Sequence, residues 1–520
     1  MIAIVDYGSQ YTQLIAKKFR RAGYLAKVYS AKTTAEDLKA LMNDGGADSP
    51  AQEIQGLVLS GSPSSVGFDL HVDVNFLKLD LPILGICFGY QDLATKLGGR
   101  VEAATNREYG EAWVEKVNTD CDDHLLDGIP SKFKVWMSHG DSVVELPKGT
   151  DLLLQSKSGP AAFRIADKRL WGLQFHPEVY HSQYGTELFE NFAKICGLKK
   201  GEWTVKEALE KSLQQLKVQL ADVDECWCAV SGGVDSTVLA VLLSQVTKVK
   251  ALFVDHGFLR AYDESDLKKY FAPYPNIDLE VIDAREVFWK DLKGQSDPET
   301  KRKAIGRMFI ETFYSHIGAE KGTKVYLGQG TIYSDVIESA KASAGVSHNI
   351  KSHHNVGGLP DEHDFVLVEP LREFFKDEVR EIGALLGIHE EALARHPFPG
   401  PGLAIRCLGD LTPERIEILK KADDLMIREL KERGLYTQTW QAFCVLTDTS
   451  TVGVMGDARS YESVLALRAV SSSDAMTAEV TQFPMKDLCE IATKIVNEIH
   501  GVNRVVYDIT GKPPGTIEWE

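Results

Sequence analysis

Short apolar runs punctuate the first part of the chain: IAIVD (2–6), GLVLS (56–60) and LPILGIC (81–87). Each ends in Gly, Ser or a polar residue, and helix-like segments lie between them. That alternation predicts a parallel sheet covered by helices. The runs FKVWMS, TDLLLQS, AAFRIA and LWGLQF follow at closer spacing and predict further, partly antiparallel strands. A helical pattern near 186–196 and the polar GLKKGEW close a first domain, residues 1–198. CWCAV, VKALFVD, IDLEVID and KVYLGQG repeat the alternation and predict a second parallel sheet within 199–396. RHPFPGPGLA (395–404) concentrates Pro and Gly, the pattern of a junction or of a rigid functional loop. Mixed patterns over 397–520 predict a small α+β domain. The expected fold class is α/β: two open α/β domains followed by that smaller one.

With 520 residues the chain is too long for one core. Its 44% apolar and 26% charged residues are those of a soluble globular protein. The net charge of −17 argues against sequence-independent binding to a nucleic-acid backbone. It leaves room for a local basic pocket. Eight cysteines scattered along the chain do not resemble a disulfide scaffold and predict a reducing compartment. MIAIVDYGSQ lacks the basic segment of a signal peptide, and no apolar run is long enough to span a bilayer. The expectation is a cytoplasmic protein with neither membrane nor nucleic acid as partner.

LGICFGYQ (84–91) puts Cys87 at the end of an apolar strand, with a helix expected from Phe88. A thiol at a helix N-terminus is favoured as thiolate. Read alone, Cys87 is a small buried cysteine. LQFHPE (173–178) adds His176 and Glu178, which face the same side if the strand continues. Cysteine, histidine and carboxylate together suit covalent acyl chemistry with proton delivery to a leaving ammonia. GICFGYQ, the downstream HPE and the earlier LSGSPSSV (59–66) resemble the class I, or triad, glutamine amidotransferase family over about the first 196 residues. The resemblance implies Cys87 as nucleophile, His176 as base and Glu178 as its orienting partner. It implies glutamine contacts from Gln91 and, within SHGD, from Ser138 and Asp141. Backbone N–H groups near Phe88 and in the SGSP turn would hold the oxyanion. The family usually reads SGGP there. Ser62 resists the positive φ or peptide flip that a second glycine permits, which fits a weaker or more tightly gated glutaminase.

AVSGGVDSTVLA (229–240) has the glycines, hydroxyls and helix start of a phosphate loop. The usual loop ends in Gly-Lys-Ser/Thr, and no lysine stands here. Donors without a lysine suit retention of a departing pyrophosphate. Taken alone, Ser231 or Asp235 is a helix cap. SGGVDS resembles the loop of the ATP-pyrophosphatase family. LFVDHGFLR puts Val254 and Asp255 at a strand end, the ligand edge of such a sheet. Asp335 and Glu338 stand three apart and share one face if helical, able to bind Mg²⁺ with phosphate oxygens; on spacing alone they are a solvated face. His348, His353, His354 and His363 fit no closed zinc pattern. KSHHNVGGLP (351–360) reads better as a segment whose Lys351 and His353 meet phosphate. FFKDEVR places Lys376 and Asp377 at a helix start.

SGGVDS, LFVDHG, GQGTIYSDVIESA, IKSHHNVGGLP, RHPFPGPGL, VGVMGDAR and RVVYDITGKPP-TIEWE, the last interrupted by Gly515, occur in that order. Together they resemble the glutamine-hydrolysing GMP synthases. The resemblance implies adenylation of XMP by ATP with Mg²⁺, release of pyrophosphate, and amination by ammonia from glutamine. It places Ser231, Gly232, Gly233, Val234, Asp235 and Ser236 around pyrophosphate, and Val254 and Phe309 beside adenine. Asp335 and Glu338 become Mg²⁺ ligands. Lys351, His353, Lys376 and Asp377 become the lid and its contacts. Arg307, Gln441, Arg504, Lys512, Ile517 and Glu518 become XMP contacts, and the C-terminal domain the seat of a homodimer. The residues themselves support part of this: Arg504 and Lys512 offer cations to a phosphate, and Glu518 can accept from purine N–H groups. KRKAIGR (301–307) alone is a solvated helical face. An asparagine synthetase would need a cysteine where Ile2 stands. A glutamine-dependent NAD synthetase would carry a nitrilase-type amidase, and a tRNA-modifying enzyme a basic surface. A non-catalytic nucleotide sensor would be expected to have lost Cys87, His176, Glu178 or SGGVDS, and all are intact.

Overall fold

The structure, a computed structural model, describes residues 1–43, 53–65, 70–117, 123–317, 324–343, 364–455, 458–472 and 477–520. These divide into two compact units: Met1–Ala208 with the segment beginning at Ser334, and Leu209–Tyr333 with the segment running on to Glu520.

The first unit is built on a nine-stranded sheet. Its strands are β1 (Ile2–Asp6), β2 (Ala26–Ser30), β3 (Gly56–Leu59), β4 (Ile83–Ile86), β5 (Arg100–Lys116), β6 (Lys132–Glu145), β7 (Asp151–Ser156), β8 (Gly159–Ile165) and β9 (Leu170–Leu173). The order is β2-β1-β3-β4-β9-β8-β7-β5-β6, parallel from β2 to β9 and antiparallel beyond. Strands β1, β3, β4 and β9 are buried at every position, as strands covered on both faces are. Of the long hairpin β5–β6, the sequence reading saw only FKVWMS, inside β6. The first half of β6 alternates between buried and wetter positions, and β5, whose described residues are nearly all partly or fully exposed, shows no apolar run.

The second unit carries two sheets. Strands β10 (Glu225–Ala229), β11 (Lys248–Asp255), β12 (Ile277–Asp283), β13 (Lys324–Gly328) and β14 (Asp364–Val368) form a parallel sheet in the order β12-β11-β10-β13-β14. The winding reverses at β10, and ligands bind such sheets beyond the strand ends at that switch point. Strands β15 (Gln441–Met455), β16 (Ala458–Ser471) and β17 (Glu479–Val480) run antiparallel, with β18 (Val502–Asp508) parallel to β16. One apolar cluster runs from Leu252 and Val254 through Leu403 and Ala404 to Leu465, Ile491 and Val502, so these sheets share a core. The Pro/Gly stretch is therefore a packed loop: Arg395, His396 and the turn Gly402–Ile405 are buried. Gly402, at φ +64°, has the Phe258 carbonyl where a Cβ would stand. The α/β class read from the sequence is the class observed. No helix among the described residues is long and apolar enough to cross a membrane.

Candidate active sites

Cys87 and His176 meet because β4 and β9 are parallel neighbours with Ile86 opposite Leu173. Just past their ends, the Cys87 N–H donates to Leu173 O at 2.7 Å. Cys87 itself adopts φ 52° and ψ −102°, a conformation a non-glycine residue holds only under strain. The helix Phe88–Lys96 starts at the next residue, and the Gly89 N–H in its first turn donates to Ser60 O at 3.1 Å. Two glycines make the elbow possible. A Cβ at Gly89 would run into the Leu59 carbonyl, and one at Gly85 would stand 2.7 Å from Gly89 C.

His176 Nδ1 lies 2.7 Å from Glu178 Oε1, and the residues are only 3% and 2% exposed. The ring also hydrogen-bonds the Cys87 side chain. Burial alone would lower the imidazole pKa. The charges of Glu178 and of a Cys87 thiolate, with their hydrogen bonds, outweigh burial and hold it well above the ordinary histidine range. The arrangement thus favours the imidazolium form of His176. Burial pushes the Cys196 and Cys226 thiols up to about 12. The His176 loop is pinned to β6: its N–H donates to Trp136 O at 3.0 Å, and Ser182 Oγ donates to His176 O at 2.6 Å.

Cys87 Sγ lies 3.8 Å from Ser138 O. Gln91 Nε2 donates to Asp141 O at 2.8 Å and to Gln174 Oε1 at 3.1 Å. Gln174 Nε2 in turn lies 4.0 Å from Cys87 Sγ. The structure therefore gathers Cys87, His176, Glu178, Gln91, Ser138 and Asp141. Ser62 is not in the left-handed region, and its Oγ accepts the Ser64 N–H at 3.1 Å. The turn borders His176, since a Cβ on Gly61 would lie 3.2 Å from His176 Cε1. Sequence reasoning missed a second histidine–carboxylate pair here. His139 Nε2 lies 3.3 Å from Glu108 Oε2, the two facing each other across β5 and β6. Burial, ahead of any opposing contact, lowers the His139 pKa. His139 was in view within SHGD; only the cross-strand register reveals Glu108.

In the second unit β10 leads through Ser231-Gly232-Gly233 into the helix Val234–Ser244. The loop hydroxyls fold onto the loop itself. Ser231 N–H donates to Ser236 Oγ at 3.2 Å, and Thr237 Oγ1 to Gly233 O at 2.8 Å. Lys376, first residue of the helix Lys376–Leu385, reaches Asp235 Oδ2 at 3.0 Å. Asp377 beside it is half-buried. Val234 and Val254 are buried, and Phe309 packs against the same core as Val254.

The C-terminal tail lies on a buried cation. Arg406 Nε and Nη2 grip Glu518 at 3.0 and 2.8 Å, and Gln441 Nε2 donates to Glu518 Oε1 at 2.9 Å. Ile517 packs with Phe443 and Val470. Arg406 was not foreseen; its cue was a lone arginine closing the apolar GLAIR.

Residues 3–196 match the family model described as Glutamine amidotransferase class-I, and residues 428–519 the one described as GMP synthase C terminal domain. GMP synthase [glutamine-hydrolyzing] of Rhizobium johnstonii is 46% identical, with all of this chain and 98% of that protein aligned. The protein of the same name from Phenylobacterium zucineum is 47% identical over the same shares. That from Porphyromonas gingivalis is 46% identical, with all of this chain and 99% of that protein aligned. The chain belongs to the glutamine-hydrolysing GMP synthase family.

The GMP synthase resemblance implies further positions. Arg307 is exposed and paired with Asp291 at 2.8 Å and Glu311 at 3.2 Å. Arg504 Nε donates to Thr451 Oγ1 at 3.3 Å, and the Lys512 backbone bridges Ala478. Among the described residues the Glu518 carboxylate is held by Arg406 and Gln441. Asp335 is half-buried and Glu338 exposed on the helix Tyr333–Ser343. Lys351 and His353, like His348, His354 and His363, lie outside the described residues.

Proposed function

We propose that this chain makes GMP from XMP, ATP and glutamine and releases AMP, pyrophosphate and glutamate. The reading is carried by one observation: a single chain holds both a thiol–imidazole–carboxylate set and a phosphate loop without a lysine. Cys87 Sγ attacks the side-chain amide carbon of glutamine. Backbone N–H groups at Phe88 and in the Gly61-Ser62 turn take the oxyanion. His176, oriented by Glu178, gives its proton to the leaving ammonia. Water then hydrolyses the thioester and restores the thiol. Gln91, Ser138 and Asp141 line the glutamine site.

For synthesis, the 2-oxygen of XMP attacks the α-phosphorus of ATP and pyrophosphate leaves. Ammonia adds at C2, and AMP departs where a bare ring oxygen would leave poorly. The loop Ser231–Ser236 retains the β- and γ-phosphates, with Val254 and Phe309 toward adenine. Asp335 and Glu338 are hard oxygen donors one helical turn apart, which suits Mg²⁺. They would hold the ion accompanying ATP, which when bound offsets triphosphate charge. Lys351, His353, Lys376 and Asp377 serve as lid and contacts. Arg307, Gln441, Arg504, Lys512, Ile517 and Glu518 serve XMP. Functional segments 1–198, 199–396 and 397–520 follow, the last carrying a homodimer interface. Unpaired cysteines among the described residues support a reducing, cytoplasmic setting.

One assay tests this: XMP, ATP and Mg²⁺ with either glutamine or ammonium. GMP, AMP and pyrophosphate are expected; ADP in their place contradicts the proposal. Cys87→Ala should abolish the use of glutamine and keep that of ammonium.

A further inference from the structure

The phosphate loop lacks a lysine, yet a cation stands against its backbone. Arg395, 5% exposed, donates from Nη1 to Gly232 O at 2.8 Å. It comes from the Pro/Gly stretch, 163 residues further along the chain. Gly232 sits at φ +74°, and a Cβ there would stand 2.9 Å from that same Nη1. Only glycine lets the guanidinium come this close in this backbone conformation. The guanidinium is also fixed on its other side. Nη2 is paired with Asp263, which is wholly buried. Asp263 in turn accepts from Arg260 Nε at 3.0 Å and from the Arg260 N–H at 2.9 Å.

We infer that Arg395 is a positioning residue for the pyrophosphate end of ATP, acting through the Gly232 peptide in place of a loop lysine. The inference rests on reading SGGVDS as the pyrophosphate loop. The Gly232 carbonyl and the Gly233 N–H belong to one planar unit. A guanidinium on the carbonyl polarises that unit and strengthens its N–H as a donor to an anion. The Gly233 N–H makes a long bond to Ser231 Oγ, at 3.4 Å, and is the loop group best placed to gain. Guanidinium groups stay charged in proteins. Asp263 fixes the orientation of Arg395 and partly balances its charge. Lys376 faces a side chain of the loop, whereas Arg395 faces its backbone, and the two roles are separate.

The test uses the full chain with ammonium as nitrogen donor, so that the glutaminase plays no part. Arg395→Gln should raise the KM for ATP and the inhibition constant of pyrophosphate about ten- to a hundredfold, the scale of a charged hydrogen bond. The KM for XMP should stay within about twofold. Arg395→Lys keeps a charge beside Asp263 and should recover about tenfold of the loss. It also reads the same constants if the Gln variant does not fold. Equal rises in the KM for ATP and XMP would reduce Arg395 to a structural prop and overturn the inference. So would a Lys variant no better than Gln, or unchanged ATP and pyrophosphate constants. Wild-type chain that fails to release AMP and pyrophosphate would overturn the proposed function itself, a different result from these.

Discussion

Replacing Glu178 by Gln removes one charge from the glutaminase site and little volume. Oε1 lies 2.7 Å from His176 Nδ1, with both side chains shut away from water. A hydrogen bond to a charged group contributes about 1.5–3 kcal/mol, against about 1 kcal/mol for a neutral pair. The difference, about 0.5–2 kcal/mol, predicts a fall of about 2- to 30-fold in glutamine-dependent kcat/KM. Glu178 Oε2 is buried with no hydrogen-bond partner among the described residues, so an amide nitrogen placed there would find no acceptor. The pH profile carries the sign. With Glu178 present, His176 stays protonated well above its ordinary range, against the lowering effect of burial. Without it, burial gains the upper hand and the imidazolium is lost at lower pH. The alkaline limb of glutamine hydrolysis should therefore move acidward. The assay follows glutamate from glutamine with XMP and ATP present, and GMP from ammonium as the control. A glutamine rate within about twofold of wild type, or an unmoved alkaline limb, would refute the role given to this pair.

Gly89→Ala drives a methyl group into the Leu59 carbonyl, an overpacking cost of at least about 1–3 kcal/mol. Glutamine-dependent synthesis should collapse while ammonium-dependent synthesis survives, read by paired GMP assays. Lys376→Ala leaves the Asp235 carboxylate beside the phosphate loop without its 3.0 Å cation. The KM for ATP should rise about tenfold, measured with ammonium. Deleting residues 516–520 takes Glu518 from Arg406, Glu520 from Lys301 and two carbonyl acceptors from Arg468. Stripping a buried cation of its partner costs about 3–5 kcal/mol, so calorimetry should show the second unit unfolding earlier while glutaminase activity remains. Glu518→Gln avoids most of that damage, and a raised KM for XMP in this variant is the cleaner sign of substrate contact.

The candidate glutaminase site was largely legible because its reactive side chains stand at strand ends. GICFGYQ and LQFHPE each show an apolar run breaking into reactive side chains. Their adjacency was not legible. Four strands, β5 to β8, intervene in sequence between β4 and β9, and only the register places Leu173 opposite Ile86. The α/β class could be read from runs that are apolar throughout, whereas β5 hid behind its many charged and polar residues. What escaped most completely was the fate of the charges. KRKAIGR looks uniformly basic, yet Lys301 is 0% exposed and bonded to Cys407 O and Glu520, while Arg307 remains on the surface. Nothing local separates the two. The Lys301 carboxylate partner is 219 residues away, just as the carbonyl held by Arg395 is 163 residues away. A cation is stable in a core only where an acceptor is already fixed there, and that acceptor can come from any part of the chain. Periodicity reports how a residue relates to its own helix or strand, so it can mark the phosphate loop but not the cation behind it. The missing loop lysine was thus a local absence in the sequence, met in the fold by a distant arginine.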